Sequence, residues 1–497
     1  MAKKNDPKTA LESVKLLINK GKHEQALEVL HKNREALEDD PVFHNAVGVC
    51  LAALREHDAA VKAFLESIKK NPLDPMPYTG IGNSLAKNLQ FTEAEKYFQL
   101  SLVVDENYND AIVGLGVAAF QRSDYAACEQ HFQRALKSRP NAPTVLTNLA
   151  NSYAAQGRHA EAIPLLERTL RLDPQNAQAH LNLGLMQLGM GQFETGWNHY
   201  EYRFHEDNFI QQKFKDLPRW KGPKGEAANV LVWAEQGVGD EIMFASMFSQ
   251  LSQCTETFVI ECDPRLKPLF EGAFPKLNFM AKANYASVTG IQYQISIASL
   301  AQLLRTSREA FSQTPAGFLK PTARALPPGA QSVLASLPRP WIGVSWESYA
   351  LTTNYRQRKS IPAAQFSRLT QDLPGSVINL QFPNPHQHEG PSQQMIPEGV
   401  VTLPAIDLKN DLELLANLIA KLDSVITIGN SVAHLCGAIG VPATVLLPSV
   451  SDWRWGFSGD RSPWYPNLVL MRNSDALDWS ATLDTLLQTY RAQKTAN

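Results

Sequence analysis

The second half of the chain shows short apolar runs that alternate with helical segments. The clearest run, Val230-Leu-Val-Trp233, is apolar without alternation, as in a parallel strand that is covered on both faces. Similar runs begin at residues 257, 277, 293, 341, 376, 424 and 443. Strands that alternate with helices in this way predict an α/β fold with parallel sheets.

Prolines divide this region into two parts. They concentrate at positions 321, 327, 328, 338 and 340, which predicts a linker. We therefore expect a first lobe at residues 226–318, a second lobe at 339–478, and a final helix at 479–497. A turn-rich connector at 205–228 would precede the first lobe. Two lobes of similar size imply a cleft between them.

Residues 8–205 show a different pattern, which repeats every 34 residues. Small residues recur at Ala26, Ala60, Ala94, Cys128, Ala162 and Gly196, and again at Gly48, Gly82, Gly116, Ala150 and Gly184. Prolines recur at Pro72, Pro140 and Pro174, and large residues stand at Phe64, Phe98, Phe132, Leu166 and Tyr200. Small residues let the two helices of a unit cross closely, and large residues fill the groove between units. The pattern predicts an array of paired helices.

This pattern resembles the tetratricopeptide repeat, with about six units at residues 8–205. The resemblance implies an all-α solenoid whose concave groove binds a peptide or protein segment. Asn148, Asn151 and Asn182 fall on first helices, where the family often presents amides to a peptide backbone, and they are our candidate groove residues. The alternative is that the repeats serve only for self-association or brace the rest of the chain.

Composition narrows the class of protein. The chain has 497 residues, 44% hydrophobic and 19% charged, so we expect a folded protein with a real core. A formal net charge of −2 gives no general attraction to nucleic acid or anionic membranes. The five cysteines lack the spacing of a disulfide framework or a zinc site. Because we find no apolar leader and no long apolar run, we expect a cytoplasmic protein without a membrane span.

Candidate chemistry in the first lobe begins directly after Val230–Trp233. Gly237 and Gly239 would let the backbone turn and let another group approach closely, and Asp240 would stand at the start of a helix. A carboxylate at the carboxyl end of such a strand lies where open α/β sheets bind ligands. Asp240 could instead be a simple N-cap. A dinucleotide site is disfavoured, since Ile242 stands where a third glycine is needed.

Three stretches of the second lobe add candidates. Arg356, Arg358 and Lys359 follow a strand and suit a phosphate, although a solvated basic loop has the same composition. Asn430 or Ser431 would cap a helix whose free N–H groups bind anionic oxygen, and His434 lies one turn further on, where a structural histidine is the alternative. Trp453 and Trp455 could stack on a base or sugar, or clamp the final helix.

Four motifs occur in order: Glu235-Gln-Gly-Val-Gly-Asp240, Arg358-Lys-Ser-Ile-Pro362, Asn430-Ser-Val-Ala-His434 with its continuation to Gly440, and Asp452-Trp-Arg-Trp455 with Ser462-Pro-Trp-Tyr465. Together they resemble the heptosyltransferase-like glycosyltransferase domain (GT-B, family 9 type) that bacteria fuse to tetratricopeptide repeats. The resemblance covers roughly residues 226–490. It implies a GT-B fold of two Rossmann-like lobes after the all-α solenoid.

The resemblance also implies inverting, metal-independent transfer from a nucleotide-activated sugar, with no cofactor beyond that co-substrate. Asp240 matches the catalytic base, Lys359 a donor-phosphate contact, and residues 429–434 the donor-binding turn. The chain departs from the family at Gly429, where members usually have Asp, which leaves the identity of the donor open. His386 and His388 could in principle hold a metal, but we interpret them as loop residues.

Three functions fit these features. The first is a protein glycosyltransferase whose repeats hold the Ser or Thr acceptor. Similar fusions include flagellin glycosyltransferases that use CMP-activated nonulosonic acids, so flagellin is the leading candidate acceptor. The second is a glycan or lipopolysaccharide-core transferase that uses its repeats for assembly. The third is a non-catalytic scaffold on a decayed transferase fold, which the departure at Gly429 favours.

Overall fold

The computed structural model describes residues 7–205, 210–223, 225–282, 289–348, 359–383, 396–475 and 477–496. The chain separates into two compact units, Met1–Asn176 and Ala177–Asn497. The sequence assigned the repeats to one domain at 8–205, whereas the structure groups the last helix pair with the α/β region. Each unit is described by itself below.

Unit 1 is entirely helical in its described part. The first helices of its five pairs are α1 (Pro7–Asn19), α4 (Pro41–Ala53), α6 (Pro75–Lys87), α8 (Asn109–Gln121) and α10 (Pro143–Ala155). The second helices are α2 (His23–Lys32), α5 (His57–Lys70), α7 (Phe91–Val104), α9 (Tyr125–Ser138) and α11 (His159–Leu172), and a short α3 (Arg34–Leu37) follows α2. Proline occupies the first turn of α4, α6 and α10, where no intrahelical N–H bond is lost.

The 34-residue pattern has a direct packing explanation. The ring of Phe64 lies between two first helices, because a Cβ added to Gly48 or to Gly80 would stand 2.6 or 2.5 Å from it. Phe98 is enclosed in the same way by Gly82 and Gly114. Phe64 and Phe98 thus each fill the space that glycines leave in two successive units. The predicted array of paired helices is confirmed.

Unit 2 begins with one more helix pair, α12 (Ala177–Gly189) and α13 (Phe193–Tyr200), followed by a 3-10 helix at Glu201–Phe204. The remaining helices are α14 (Val238–Ala245), α15 (Phe248–Leu251), α16 (Lys267–Ala273), α17 (Leu300–Leu304), α18 (Pro328–Ser336), α19 (Ala363–Asp372), α20 (Leu412–Ile419), α21 (Ser431–Ile439) and α22 (Ser480–Ala496). Two further 3-10 helices lie at Glu309–Gln313 and Trp453–Trp455.

Two parallel sheets form the lobes. The strands are β1 (Asn229–Trp233), β2 (Thr257–Cys262), β3 (Asn278–Ala281), β4 (Tyr293–Ser296), β5 (Trp341–Ser345), β6 (Ser376–Asn379), β7 (Val400–Val401), β8 (Ser424–Ile428), β9 (Ala443–Leu447) and β10 (Leu468–Arg472). The first sheet has the order β3-β2-β1-β4 and the second β10-β9-β8-β5-β6-β7. All ladders between these strands are parallel. The predicted α/β region is therefore present, and its assignment to the GT-B fold stays a prediction.

One apolar core joins the last helix pair to both lobes. Trp197 of α13 contacts Phe244 of the first lobe and Trp453 of the second, with ring centroids 6.4 and 5.6 Å apart. Its indole N–H donates to the carbonyl oxygen of Arg305, 2.9 Å away. The other face of the second sheet is covered by α19 through Phe366, by Trp479, and by the final helix α22 through Leu486.

A buried ion pair attaches the same helix pair to the first lobe. Arg203 donates through Nε and Nη2 to both carboxylate oxygens of Glu235, at 2.7 and 2.9 Å, and the two side chains are 1% and 0% exposed. Arg203 also donates to Glu201 at 2.8 Å and to Ser299 at 2.8 Å. Burial alone would raise the pKa of Glu201, but Arg203 and Arg219 hold it below its ordinary value. A buried charge is tolerated only when it is paired in this way.

We expect Phe98→Ala to destabilise unit 1 by about 3–5 kcal/mol, because the ring leaves a cavity between two helices. The matched control is Val103→Ala on the same helix α7, whose side chain is exposed and should change stability by less than about 0.5 kcal/mol. Urea unfolding followed by circular dichroism measures both. Equal shifts in the two variants would contradict the packing explanation.

We expect Arg203→Met to lower the stability of unit 2 by about 3–5 kcal/mol, because it leaves Glu235 buried without its cation. The control is Arg324→Met, which removes a solvent-exposed pair with Asp411 and should have a much smaller effect. Thermal unfolding of the two variants gives the comparison. If Arg203→Met lowered the stability no more than the control does, the ion pair would not be needed to hold the last helix pair on the first lobe.

Candidate functional site

The candidate base Asp240 lies at the carboxyl edge of the first sheet. β1 ends at Trp233, and Asp240 stands in the first turn of α14 with its side chain 16% exposed. The N-cap of α14 is Gly237, so the alternative that Asp240 is the N-cap is wrong. Gly237 has an ordinary extended backbone, whereas a Cβ on Gly239 would lie 2.9 Å from the ring of His434. Gly239 therefore permits the close approach of the second lobe.

Arg454 connects Asp240 to the second lobe. It lies in the 3-10 helix that follows β9, and its Nε donates to Asp240 Oδ1 at 2.5 Å. Nη1 donates to Asp452 Oδ1 at 2.9 Å, and Nη2 donates to Gln236 Oε1 at 2.8 Å. One guanidinium thus binds two carboxylates and an amide from both lobes. Burial would lower the pKa of Arg454, but Asp240 and Asp452 raise it well above its ordinary value.

Lys359 is the fourth charged side chain of this cluster among the described residues. Its Nζ lies 3.6 Å from Asp452 Oδ2, and its side chain is 17% exposed. Burial lowers the pKa of Lys359, and Asp452 opposes that change. Burial would raise the pKa of Asp452, but Arg454 and Lys359 hold it below its ordinary value. In this cluster two carboxylates alternate with two cations, in the order Asp240, Arg454, Asp452 and Lys359.

His434 borders this cluster as a neutral imidazole. Its Nδ1 is 2.9 Å from the hydroxyl of Tyr465, and its ring lies 4.9 Å from that of Trp455. Burial, followed by the nearby charge of Arg454, lowers its pKa to about 3. A neutral ring can offer one N–H donor and one acceptor, and here its far edge faces Gly239. His434 therefore lies beside the turn that carries Asp240, and its role in donor binding stays a prediction.

Asn430 caps α21, as the sequence suggested. Its Oδ1 accepts from the backbone N–H groups of Val432 and Ala433, and its amide donates to Ser345 Oγ at 2.8 Å. These contacts give Asn430 a structural task, and its role in donor binding stays a prediction. Ser431 follows it at the first position of the helix and is partly exposed.

The two tryptophans are more buried than a stacking platform requires. Trp453 is 8% exposed and contacts Trp197 and Tyr200, while Trp455 is 3% exposed and contacts His434 and Tyr465. These contacts favour a packing role, and stacking on a ligand stays a prediction. Within the described part of the chain both tryptophans belong to the core that joins the last helix pair to the lobes, whereas the final helix packs in a separate cluster, so the alternative that they clamp that helix is wrong.

Trp455 also explains Gly429. A Cβ at position 429 would lie 2.6 Å from Nε1 of Trp455. The aspartate that is usual in the resembling family would therefore clash with this indole. Gly429 is therefore the residue that makes room for the indole of Trp455.

Sequence reasoning missed Arg454 and Gln236 as parts of this cluster. Both residues lie inside motifs that the sequence analysis identified, but the functional roles were assigned to the neighbouring tryptophans and glycines. The available signal was an arginine two residues after Asp452, in a loop that follows a strand of the second sheet. Glu235 was also unexplained, and its task is the buried pair with Arg203.

Arg356, Arg358, His386 and His388 fall outside the described residues. Asn148 and Asn151 are half-buried on α10 in unit 1, and Asn182 is half-buried on α12 in unit 2, where its Oδ1 accepts from Gln178 at 2.8 Å.

Within the described residues, no group of three or more His, Cys, Asp or Glu side chains is arranged to hold a metal ion. No helix in the same ranges has the length and apolar character needed to cross a membrane.

Comparison with known proteins agrees for the helical region. Two tetratricopeptide-repeat family models match, one at residues 11–75 and one at 108–175. Among solved structures, PilW, described as a type IV pilus biogenesis factor, is 16% identical, with 40% of this chain and 90% of PilW covered and a TM-score of 0.36. A tetratricopeptide-repeat protein of Thermus thermophilus is 16% identical, with 35% and 96% covered and a TM-score of 0.33.

Similarity to one curated relative extends beyond the repeats. Protein FlbA of Caulobacter vibrioides is 26% identical over 405 residues, which cover 70% of this chain and 67% of FlbA. This share is larger than the repeats alone can supply, so the similarity includes part of the α/β region. Residues 11–75 and 108–175 therefore match tetratricopeptide repeats, which generally mediate protein–protein interaction, and the chain as a whole has a weak similarity to FlbA.

Proposed function

We propose that this protein is an inverting, metal-independent glycosyltransferase with a GT-B fold. It would move a sugar from a nucleotide-activated donor to a Ser or Thr hydroxyl of a protein that the repeats hold. By resemblance, the leading candidates are flagellin as acceptor and a CMP-activated nonulosonic acid as donor. We expect the reaction to take place in the cytoplasm.

The observation that supports this proposal is the meeting of the two lobes at one charged cluster. Asp240 is contributed by the carboxyl edge of the first sheet, while Arg454, Lys359 and His434 belong to the second lobe. The carboxyl edges of parallel sheets are where open α/β folds bind ligands. The cations of the second lobe suit a phosphate leaving group, and the carboxylate of the first lobe suits a general base.

The proposed step balances as a single displacement. Asp240 accepts the proton of the acceptor hydroxyl, and the hydroxyl oxygen forms a bond to the anomeric carbon. The bond between that carbon and the donor phosphate oxygen breaks, and the nucleotide leaves with the electron pair. Lys359 and Arg454 stabilise the negative charge that develops on the phosphate. Attack opposite to the leaving group inverts the configuration at carbon.

A second candidate is a non-catalytic scaffold. It is favoured by the 2.5 Å ion pair between Arg454 and Asp240, which occupies one oxygen of the assigned base. A scaffold of this type would bind a partner through its repeats and transfer no sugar.

We expect Asp240→Asn to reduce sugar transfer by about 10²–10⁴-fold, since the amide cannot accept the proton. The assay is the gain in intact mass of purified flagellin from the same organism, incubated with CMP-nonulosonic acid and the full chain. The matched control is Asp372→Asn, an exposed carboxylate paired with Arg491 outside the cluster, which should leave transfer unchanged.

The same incubation separates the alternatives when the sugar is radiolabelled. Label that enters protein supports the proposal, and label that enters lipid supports a glycan or lipopolysaccharide transferase. Undiminished transfer by the Asp240→Asn variant would remove Asp240 as the base. No label in either fraction, with wild-type protein and a panel of donors, would favour the scaffold.

A further inference from the structure

Arg454 already uses most of its hydrogen-bonding capacity on the protein itself. A guanidinium has five N–H donors, and three nitrogens of Arg454 are occupied by Asp240, Asp452 and Gln236. Its contact with Asp452 stays within the second lobe, whereas its contacts with Asp240 and Gln236 cross to the first. The same side chain thus both holds the assigned base and belongs to the second lobe.

We propose that the donor phosphate and Asp240 compete for Arg454, so that the base is released only when the donor is bound. This inference rests on the proposed function and adds a regulatory step to it. With no donor, Arg454 would hold Asp240 Oδ1 and join the two lobes. With a donor, the guanidinium would stay anchored on Asp452 and turn its Nε edge from Asp240 to the phosphate.

Charge balance supports this exchange. Among the described residues the cluster contains two carboxylates and two cations, so the formal charge of these four groups is zero when all are ionised. All four side chains are less than one fifth exposed, so an added phosphate would meet little screening. The phosphate is best accommodated if one cation leaves its carboxylate partner and pairs with the phosphate instead. Asp240 can then be neutralised in turn by the proton that it takes from the acceptor.

Geometry selects Arg454 over Lys359 for this role. The ammonium of Lys359 lies 3.6 Å from Asp452 within its own lobe, whereas Arg454 donates to two first-lobe side chains. The planar guanidinium presents separate N–H edges in a fixed fork, so Arg454 can keep Asp452 on one edge while the other edge exchanges its partner. Release of Asp240 would also give up one link between the lobes, so donor binding and lobe movement would be coupled.

The experiment is a double-mutant cycle on nucleotide affinity, which needs no acceptor. Calorimetry measures the binding of CMP, UDP and GDP to the full-length wild type, Asp240→Asn, Arg454→Gln and the double variant. We expect Asp240→Asn to tighten binding of the preferred nucleotide about threefold to thirtyfold, because the competitor is removed. We expect Arg454→Gln to weaken binding. In the Arg454→Gln background, Asp240→Asn should have little further effect.

The cycle distinguishes competition from simple repulsion. If Asp240→Asn tightened binding equally with and without Arg454, the effect would be repulsion between carboxylate and phosphate, and the proposal would fail. Affinity that did not change in Asp240→Asn would also overturn it, while the proposed glycosyltransferase function would still stand. If none of the three nucleotides bound any variant, both the donor site and this inference would be rejected.

Two controls keep the result interpretable. Asp372→Asn should bind as the wild type does, because its carboxylate lies outside the cluster. Since Arg454→Gln leaves two buried carboxylates, thermal unfolding must show that it folds. If it does not, Arg454→Lys replaces it in the cycle, and the tightening by Asp240→Asn should then be clearly smaller than in the wild type.

Discussion

The structure of unit 2 depends on one buried cation. Arg203 is almost fully enclosed, and it is compatible with the interior only because Glu235 takes two of its N–H groups and Glu201 a third. Glu235 comes two residues after the end of β1, so satisfying Arg203 fixes the 3-10 helix at Glu201–Phe204 against the carboxyl edge of the first sheet. The last helix pair is therefore a structural part of the α/β region and not only a terminal unit of the repeats.

Gln236 connects the region of this buried ion pair to the candidate site. Gln236, next to Glu235, donates to the hydroxyl of Tyr200 on α13 and accepts from Arg454 of the second lobe. Tyr200 and Trp197 in turn pack on Trp453, the neighbour of Arg454. The helix pair thus contacts both sides of the cluster around Asp240. A change at this helix pair should reach the charged cluster through packing and hydrogen bonds, with no direct contact to a ligand.

The sequence predicted those features that depend on local patterns. Phe64 and Gly48 recur at a fixed period because they touch across a helix pair, and β1 is a continuous apolar run because both of its faces are covered. β7 and β10 were missed, since β7 has only two residues and β10 ends in a partly exposed arginine. The pairs Arg203–Glu235 and Arg454–Asp240 could not be predicted, because each joins residues that are distant in the chain and only the fold brings them together.

The position of Trp455 bears on the donor that such a site would take. Its indole occupies the space in which an aspartate at position 429 would stand, and it contacts the neutral ring of His434. A carboxylate there would add a third acid to a cluster whose two acids are matched by Arg454 and Lys359. With Gly429 and Trp455 the charge of the cluster stays balanced, and an arriving phosphate encounters one carboxylate fewer. The glycine is therefore compatible with anion binding, and it is by itself no sign that the fold has lost its activity.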